Sequence, residues 1–315
     1  MIKILFTYRI PEEGLLALGK DYAIDCPLHF YTKDEIIAKI ADYDVLFSAF
    51  STPVDKEIIE AGKKLKLISN YGVGYNHIDI KAASDNNIMV CNTPQSVCIP
   101  TAELCLGLIL SLSRKISEHN HRLRVEDNFK WGSMNNLGTG LYGKTLGIIG
   151  MGRIGIQVSK FAHVFGMNIV YHNRTKLSQE IENDLNISYL SLSDLLSSSD
   201  VISLHTPLND DTHHLINAKE LNLMKKTSFL INTSRGPIIN ENDLVYALEK
   251  KTIGGAALDV FENEPNIHPS LLCLNNVVIV PHIGTASIDS MIAMGKEAGE
   301  NIINFFNESP TNIVN

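Results

Sequence analysis

The sequence predicts an α/β protein with two doubly wound parallel sheets, and three observations predict it. Short apolar runs alternate with helical patterns along the chain, the order that lays helices over parallel strands. The alternation occurs as two series, one over the first hundred residues and one from Thr145 onwards. The 315 residues suffice for two domains of ordinary size.

In the first series, strands are expected near residues 3–8, 45–48, 67–70 and 89–91. Helices lie between them, for example 32–40, where Thr32 and Glu35 are spaced as a capping box. A helical pattern then covers Thr101 to about Val125, too long for a small βαβ unit and suited to bridging two domains. The second series opens with a strand at 145–149 and a helix at 156–165. Strands follow at 168–172, 201–205, 228–232, 255–258 and 277–280, and the segment 287–307 is helical. Gly, Pro and Asn cluster at 92–100 and near 281–287, which read as hinges. The expected domains are therefore 1–98 plus 287–315, and 99–286. The chain begins one domain, builds a second, and returns a C-terminal helix to the first. No internal repeat or low-complexity tract interrupts this plan.

Bulk properties exclude several functions. A formal net charge of −8 argues against nucleic acid as the main partner, since phosphate contacts need a basic face. No apolar run reaches the roughly 18–20 residues that span a bilayer, and the first residues lack a signal-peptide core and cleavage site. Cys26, Cys91, Cys98, Cys105 and Cys273 form no C-x-x-C pair and are odd in number, as expected of reduced thiols in a cytoplasmic protein. His119, His121, His213 and His214 lack ligand-spaced partners and read as solvated histidines, with no metal site.

The most informative stretch is 143–155. Gly150, Gly152 and Gly155 form G-x-G-x-x-G between a strand and a helix. The first glycine permits the tight turn, the second lets the backbone approach a pyrophosphate, and the third packs helix on strand. In that context the motif signals dinucleotide binding. The second strand of such a fold usually ends in Asp or Glu, which bonds the ribose hydroxyls. Here it ends His172-Asn173-Arg174-Thr175-Lys176, with no carboxylate. Arg174 offers a planar charged fork for a 2′-phosphate and Thr175 a hydroxyl, so the sequence leans to NADP(H). Arg174 stacking on adenine, with NAD(H) accepted, is the alternative.

Three more segments lie where strands end, the place where open α/β sheets bind ligands. They are 231–236 with Arg235, 254–265 with Glu264, and 280–286 with His282. These segments resemble the D-isomer-specific 2-hydroxyacid dehydrogenase family. The resemblance extends to Asn70-Tyr71-Gly72-Val73-Gly74-Tyr75-Asn76-His77-Ile78-Asp79, to Asn92-Thr93-Pro94, to Thr101-Ala102-Glu103 and to Leu204-His205-Thr206-Pro207-Leu208. The Arg-to-Glu interval of 29 and the Glu-to-His interval of 18 are similar to the family pattern. Within the family the chain looks most like the glyoxylate/hydroxypyruvate reductases, through Asn173-Arg174-Thr175 and His282-Ile283-Gly284-Thr285-Ala286.

The resemblance implies a Rossmann cofactor domain inserted in a flavodoxin-like substrate domain, and a set of roles. His282 is the general acid, Glu264 orients it, and Arg235 binds the substrate carboxylate and polarises the carbonyl. Backbone amides of Val73 and Gly74 hold the same carboxylate, and closure of a cleft excludes water. Arg153 and Ile154 lie at the pyrophosphate, and Thr206, Pro207 and Thr212 line the cofactor. Thr233 and Ser234 contact its nicotinamide half, Asp259 holds the carboxamide, and Gly284 and His282 lie beside the ring. Phe50 and Tyr71 shape the substrate pocket. Structural roles are expected for His77 and His205, packing or capping for Glu103, and an unactivated thiol for Cys98. The region around Trp131 implies a homodimer contact.

The expected activity is NAD(P)H-dependent reduction of a small 2-oxoacid of the glyoxylate/hydroxypyruvate type to the D-2-hydroxyacid. The alternatives are an NAD-linked dehydrogenase of bulkier oxoacids, of D-lactate or branched-chain type, and a dinucleotide-sensing binding protein. Phosphoglycerate dehydrogenase is disfavoured by the end at Asn315, and formate dehydrogenase by Glu264 where its relatives place Gln.

Overall fold

Ile4 sits between Ile24 on one side and Val45 on the other, and both neighbouring strands run parallel to its own. That pattern holds throughout the computed structural model, which describes residues 1–49 and 52–315. In chain order the first elements are β1 (Ile2–Phe6), β2 (Tyr22–Asp25), α1 (Lys33–Ile40), β3 (Val45–Ala49), α2 (Lys56–Ala61), β4 (Leu67–Tyr71), α3 (Ile80–Asp85) and β5 (Met89–Cys91). Two helices follow, α4 (Cys98–Ser113) and α5 (Ile116–Val125). Then come β6 (Thr145–Ile149), α6 (Arg153–Val164), β7 (Asn168–His172), α7 (Gln179–Leu185), β8 (Ile187–Tyr189), α8 (Leu192–Ser198) and β9 (Val201–Leu204). The last are α9 (Ala218–Leu223), β10 (Phe229–Asn232), α10 (Glu241–Glu249), β11 (Gly255–Leu258), β12 (Val277–Ile279) and α11 (Ile288–Phe306).

Two compact units result, residues 1–100 with 285–315 and residues 101–284. The first carries a five-stranded sheet in the order β2-β1-β3-β4-β5, the flavodoxin-like winding. Alternation along each strand feeds two cores. Ile4, Phe6, Val45, Phe47 and Leu67 face α11 through Met294, Ala298 and Ile302. Leu5, Leu46, Ile68 and Val90 face α1 to α3 through Ile36, Ile58 and Ala83. The expected capping box holds α1: the Glu35 amide donates to Thr32 Oγ1, and the Thr32 amide to Glu35 Oε2 at 2.8 Å. The C-terminal helix is tied to β4 by Ser69 Oγ donating to the Ala298 carbonyl and Tyr71 Oη to that of Met291.

The second unit carries seven strands in the order β12-β11-β10-β9-β6-β7-β8. Counting from β6, this is the Rossmann order with one further parallel strand at the edge. Its central strands are buried on both faces, which is why they read as unbroken apolar runs.

The sequence missed β2 and β8. Both are short edge strands of mixed polarity, with Ile24 and Ser188 exposed, so neither leaves an apolar signal. The long helix expected from Thr101 to Val125 is two helices. Lys115 takes the left-handed conformation at φ 56°, and the Ser113 carbonyl accepts the Thr139 amide at 2.7 Å. No Gly or Pro marks this break, so nothing in the pattern reported it.

Candidate active site

The glycine loop follows β6. Gly150 has φ +98°, and a Cβ there would lie 2.6 Å from the His205 carbonyl carbon. A Cβ on Gly155 would lie 2.5 Å from the Gly150 oxygen, so helix meets strand only through glycine. Gly152 is the N-cap of the twelve-residue α6, and among the described residues nothing comes within 4 Å of its Cβ position. One glycine is thus demanded by a left-handed turn, one by close packing, and one borders open space at a helix N-terminus that begins Arg153-Ile154. Those features fit a pyrophosphate.

At the end of β7, Asn173 turns back onto this loop, its Oδ1 accepting the Met151 amide at 2.6 Å. It thereby braces the glycine loop. Arg174 and Thr175 are exposed, and the Arg174 guanidinium lies 3.5 Å from Asp211.

Beyond β9, burial pushes the His205 imidazole down to about 4, so it is neutral, and Ser203 Oγ lies 2.8 Å from its Nε2. Thr206 Oγ1 and Thr233 Oγ1 are buried hydroxyls with no hydrogen-bond partner among the described residues. Orphaned polar atoms call for a ligand, and these stand at the ends of β9 and β10. Thr212 is different: its hydroxyl donates to the Pro207 carbonyl at 2.6 Å and closes the 207–212 loop.

Strands β10, β11 and β12 end in register, Asn232 opposite Leu258 and Leu258 opposite Ile279. Arg235 and His282 each follow their strand end by three residues. Asn232 shapes the first turn, accepting from the Ser234 amide and hydroxyl and donating to the Arg235 carbonyl. Burial pushes the Arg235 guanidinium down, and the Glu264 charge opposes it.

His282 holds a left-handed φ of 51°. Asp259 maintains that turn. Its carbonyl accepts the His282 amide at 2.9 Å, and its carboxylate takes the Ile283 amide at 2.6 Å and the Gly284 amide at 2.9 Å. Burial raises the Asp259 carboxyl against the pull of these amides and of His282. Each Asp259 oxygen thus accepts one amide of the His282 loop.

His282 Nδ1 donates to Glu264 Oε2 at 2.8 Å, and Glu264 Oε1 accepts the Phe261 amide at 2.9 Å. Burial pushes Glu264 up, but the His282 hydrogen bond and charge, the Phe261 amide and Arg235 outweigh it and hold it low. The dyad is therefore ionised on its carboxylate side, and the imidazole is fixed in one orientation.

In the first unit, the carbonyls of residues 72–74 are all drawn inward. Asn70 Nδ2 donates to Gly72 and Gly74, Asn92 Nδ2 to Val73, and the Thr93 amide to Gly72. Across a planar trans peptide the following N–H points opposite its carbonyl. The Val73 amide thus points away from Asn70 and Thr93, and the Gly74 amide away from Asn92.

A family model described as the NAD-binding domain of D-isomer-specific 2-hydroxyacid dehydrogenases matches residues 106–284. Glyoxylate reductase of Thermococcus litoralis is 41% identical over 99% of this chain and 96% of its own. The chain belongs to the D-isomer-specific 2-hydroxyacid dehydrogenase family. Among solved structures, a glyoxylate reductase from Paecilomyes thermophila superposes with a TM-score of 0.90 at 33% identity, covering 99% of this chain and 98% of that one. An NADPH-dependent glyoxylate/hydroxypyruvate reductase from Sinorhizobium meliloti, solved with NADP and malonate, gives 0.85 at 28% identity, covering 99% and 96%. A dehydrogenase of this family binds a nicotinamide dinucleotide, in keeping with the glycine loop and the orphaned threonines.

Several expectations change on this frame. Tyr71 is buried and bonded to α11, part of the first unit's core, while Phe50 lies outside the described residues. His77 Nε2 lies 3.4 Å from Ser48 Oγ, and Cys98 donates to the Pro94 carbonyl. Glu103 is exposed on α4. His214 is not solvated: it bonds Glu262 at 2.6 Å. Asn232, Asn70 and Asn92 went unread because they act through backbone groups, and Glu262 because its partners His214 and Glu241 are distant in sequence. No described helix is long and apolar enough to cross a membrane.

Proposed function

We propose that the protein reduces a small 2-oxoacid of the glyoxylate/hydroxypyruvate type to its D-2-hydroxyacid. The observation that carries this reading is the 2.8 Å contact of His282 with Glu264, at a strand end in register with the one that precedes Arg235. A bound dihydronicotinamide supplies the hydride that reduces the substrate's carbonyl carbon. His282 supplies the proton to the carbonyl oxygen; its Nδ1 is engaged by Glu264, which assigns transfer to Nε2. Proton loss leaves a neutral imidazole, recharged from solvent through a ring side chain that is 31% exposed. Arg235 pairs with the carboxylate and draws charge towards the carbonyl oxygen. The Val73 and Gly74 amides bind that carboxylate as well.

Gly150, Gly152, Gly155, Arg153 and Ile154 are assigned to the pyrophosphate. Asn173, Thr206, Pro207, Thr212, Thr233, Ser234 and Gly284 are assigned to the rest of the cofactor, with Asp259 assigned to its carboxamide. Arg174 and Thr175 support NADP(H). NAD(H) is a second reading, favoured by Asp211 beside Arg174, whose charge opposes a 2′-phosphate. Trp131 and Met134, each 79% exposed, and the exposed Leu137 lie in one segment, whose apolar exposure supports a homodimer. The Cys91 and Cys105 thiols, pushed up by burial to about 11 and about 12, support structural roles in a reducing compartment.

The test is oxidation of NADPH and NADH, followed by absorbance, with glyoxylate, hydroxypyruvate, pyruvate and phenylpyruvate. Turnover of glyoxylate or hydroxypyruvate with NADPH is expected. Preference for phenylpyruvate with NADH overturns the substrate and cofactor assignments, and no turnover with any acid overturns the reductase.

A further inference from the structure

The loop cluster holds a second histidine–carboxylate pair. His214 has φ 51°, the same left-handed value as His282. Its Nε2 donates to Glu262 Oε1 at 2.6 Å, as His282 donates to Glu264, and the two carboxylates are two residues apart. Glu262 is also locked to Glu241 in a reciprocal exchange. The Glu262 amide donates to Glu241 Oε1 at 2.6 Å, and the Glu241 amide to Glu262 Oε2 at 3.2 Å. The His214 segment is held in turn: its amide donates to the Pro237 carbonyl, and Ile216 bridges Ile239 in parallel. Three loops, 212–216, 236–241 and 259–264, therefore meet at the Glu262 side chain.

What this node fixes is the Phe261–Glu262 peptide, which adjoins the one that presents the Phe261 amide. That amide is the donor to Glu264 Oε1. Moving it by a fraction of an ångström swings the carboxylate that orients His282, and misplacement of about 1 Å costs on the order of a hundredfold in rate. We propose that His214 and Glu262 form a positioning pair: they touch neither substrate nor reacting atoms, and they hold Glu264 where it can orient His282. This rests on the reductase reading for its kinetic consequence, but not for the geometry of the dyad.

The test compares His214→Leu with His214→Gln in the full-length enzyme. Both side chains meet the same left-handed backbone, and only Gln returns an N–H towards Glu262. The first readout needs no turnover: the downfield proton resonance of His282 Nδ1, assigned by its disappearance in His282→Gln. The second is kcat and KM with glyoxylate, and the third is the melting temperature. In His214→Leu the resonance is expected to shift upfield and broaden. Its kcat should fall about tenfold to a hundredfold, with KM and NADPH affinity little changed, and His214→Gln should recover most of both. A lower melting temperature with the resonance and kcat unmoved reduces His214 to a structural residue and overturns the proposal. If wild type turns over no oxoacid, the reductase reading fails alone, and the resonance still decides the pair.

Discussion

Gly236 and Phe261 are in backbone contact: a Cβ on Gly236 would overlap the Phe261 carbonyl group. The residue after Arg235 is thereby pressed against the residue whose amide holds Glu264. Two strand-end loops that carry opposite charges are locked together through a place where only glycine fits. Gly236→Ala must separate them. Such overpacking costs typically 1–3 kcal/mol, occasionally more, so a loss of about 3 kcal/mol in urea unfolding is expected, together with a fall in turnover. Wild-type stability in this variant would show that the loops yield freely.

Glu264 gives a pH prediction. Its carboxyl is pushed up by burial, but His282, the Phe261 amide and Arg235 hold it below the ordinary range. A carboxylate depressed in the folded state contributes stability that is fully present above its unfolded value, about 4.3, and lost as pH falls through its folded value. The difference in unfolding free energy between wild type and Glu264→Gln should therefore be largest near neutrality. It should persist through about pH 4.3 and shrink below it. A difference that is flat with pH would mean that Glu264 charge does not hold the dyad.

Arg174 and Asp211 form an exposed pair, each side chain more than three-quarters accessible, so their contact adds little to stability. Their interest is selectivity. Arg174→Ala should weaken NADPH binding about tenfold, the scale of one charge-assisted hydrogen bond, and leave NADH nearly unchanged. Asp211→Asn should act in the opposite direction by removing repulsion from a 2′-phosphate. Fluorescence titration of both cofactors checks this; equal changes for NADPH and NADH would remove both residues from the ribose site.

How much of this was readable from the chain depends on which physics each element uses. The central strands, such as 145–149 and 255–258, are buried on both faces and announce themselves as apolar runs. The edge strands β2 and β8 bury little and do not. The break at Lys115 arises from a carbonyl captured by Thr139, a contact 24 residues away in sequence that leaves no local mark. At the site, Arg235, Glu264 and His282 carry charge at strand ends, which a sequence displays. The side chain of Asp259 and the carboxamides of Asn70 and Asn232 do their work on backbone amides and carbonyls. His214 was misread for a related reason: adjacent histidines look solvated until the fold brings Glu262 to one of them.

Asn70 supplies the last prediction, because it tests whether the amides of Val73 and Gly74 bind substrate. Its carboxamide donates to two carbonyls of the 72–74 loop, at 2.8 Å and 3.0 Å. An Asp of the same shape cannot donate to either, so the 72–73 peptide loses a bond that aims the Val73 amide, while the Gly74 amide stays aimed by the Asn92 bond to the Val73 carbonyl. That bond contributes about 1 kcal/mol, and its loss corresponds to a rise in KM for the oxoacid of about fivefold. The NADPH affinity, set in the other unit by the glycine loop, should stay at the wild-type value. Asn70 is fully buried, and an aspartate there risks failure to fold. Asn92→Ala is the gentler probe: it removes the donor to the Val73 carbonyl, which aims the Gly74 amide, and a similar rise in KM is expected from it. If both variants fold and bind oxoacid as wild type does, the carboxylate is held by Arg235 without help from this loop.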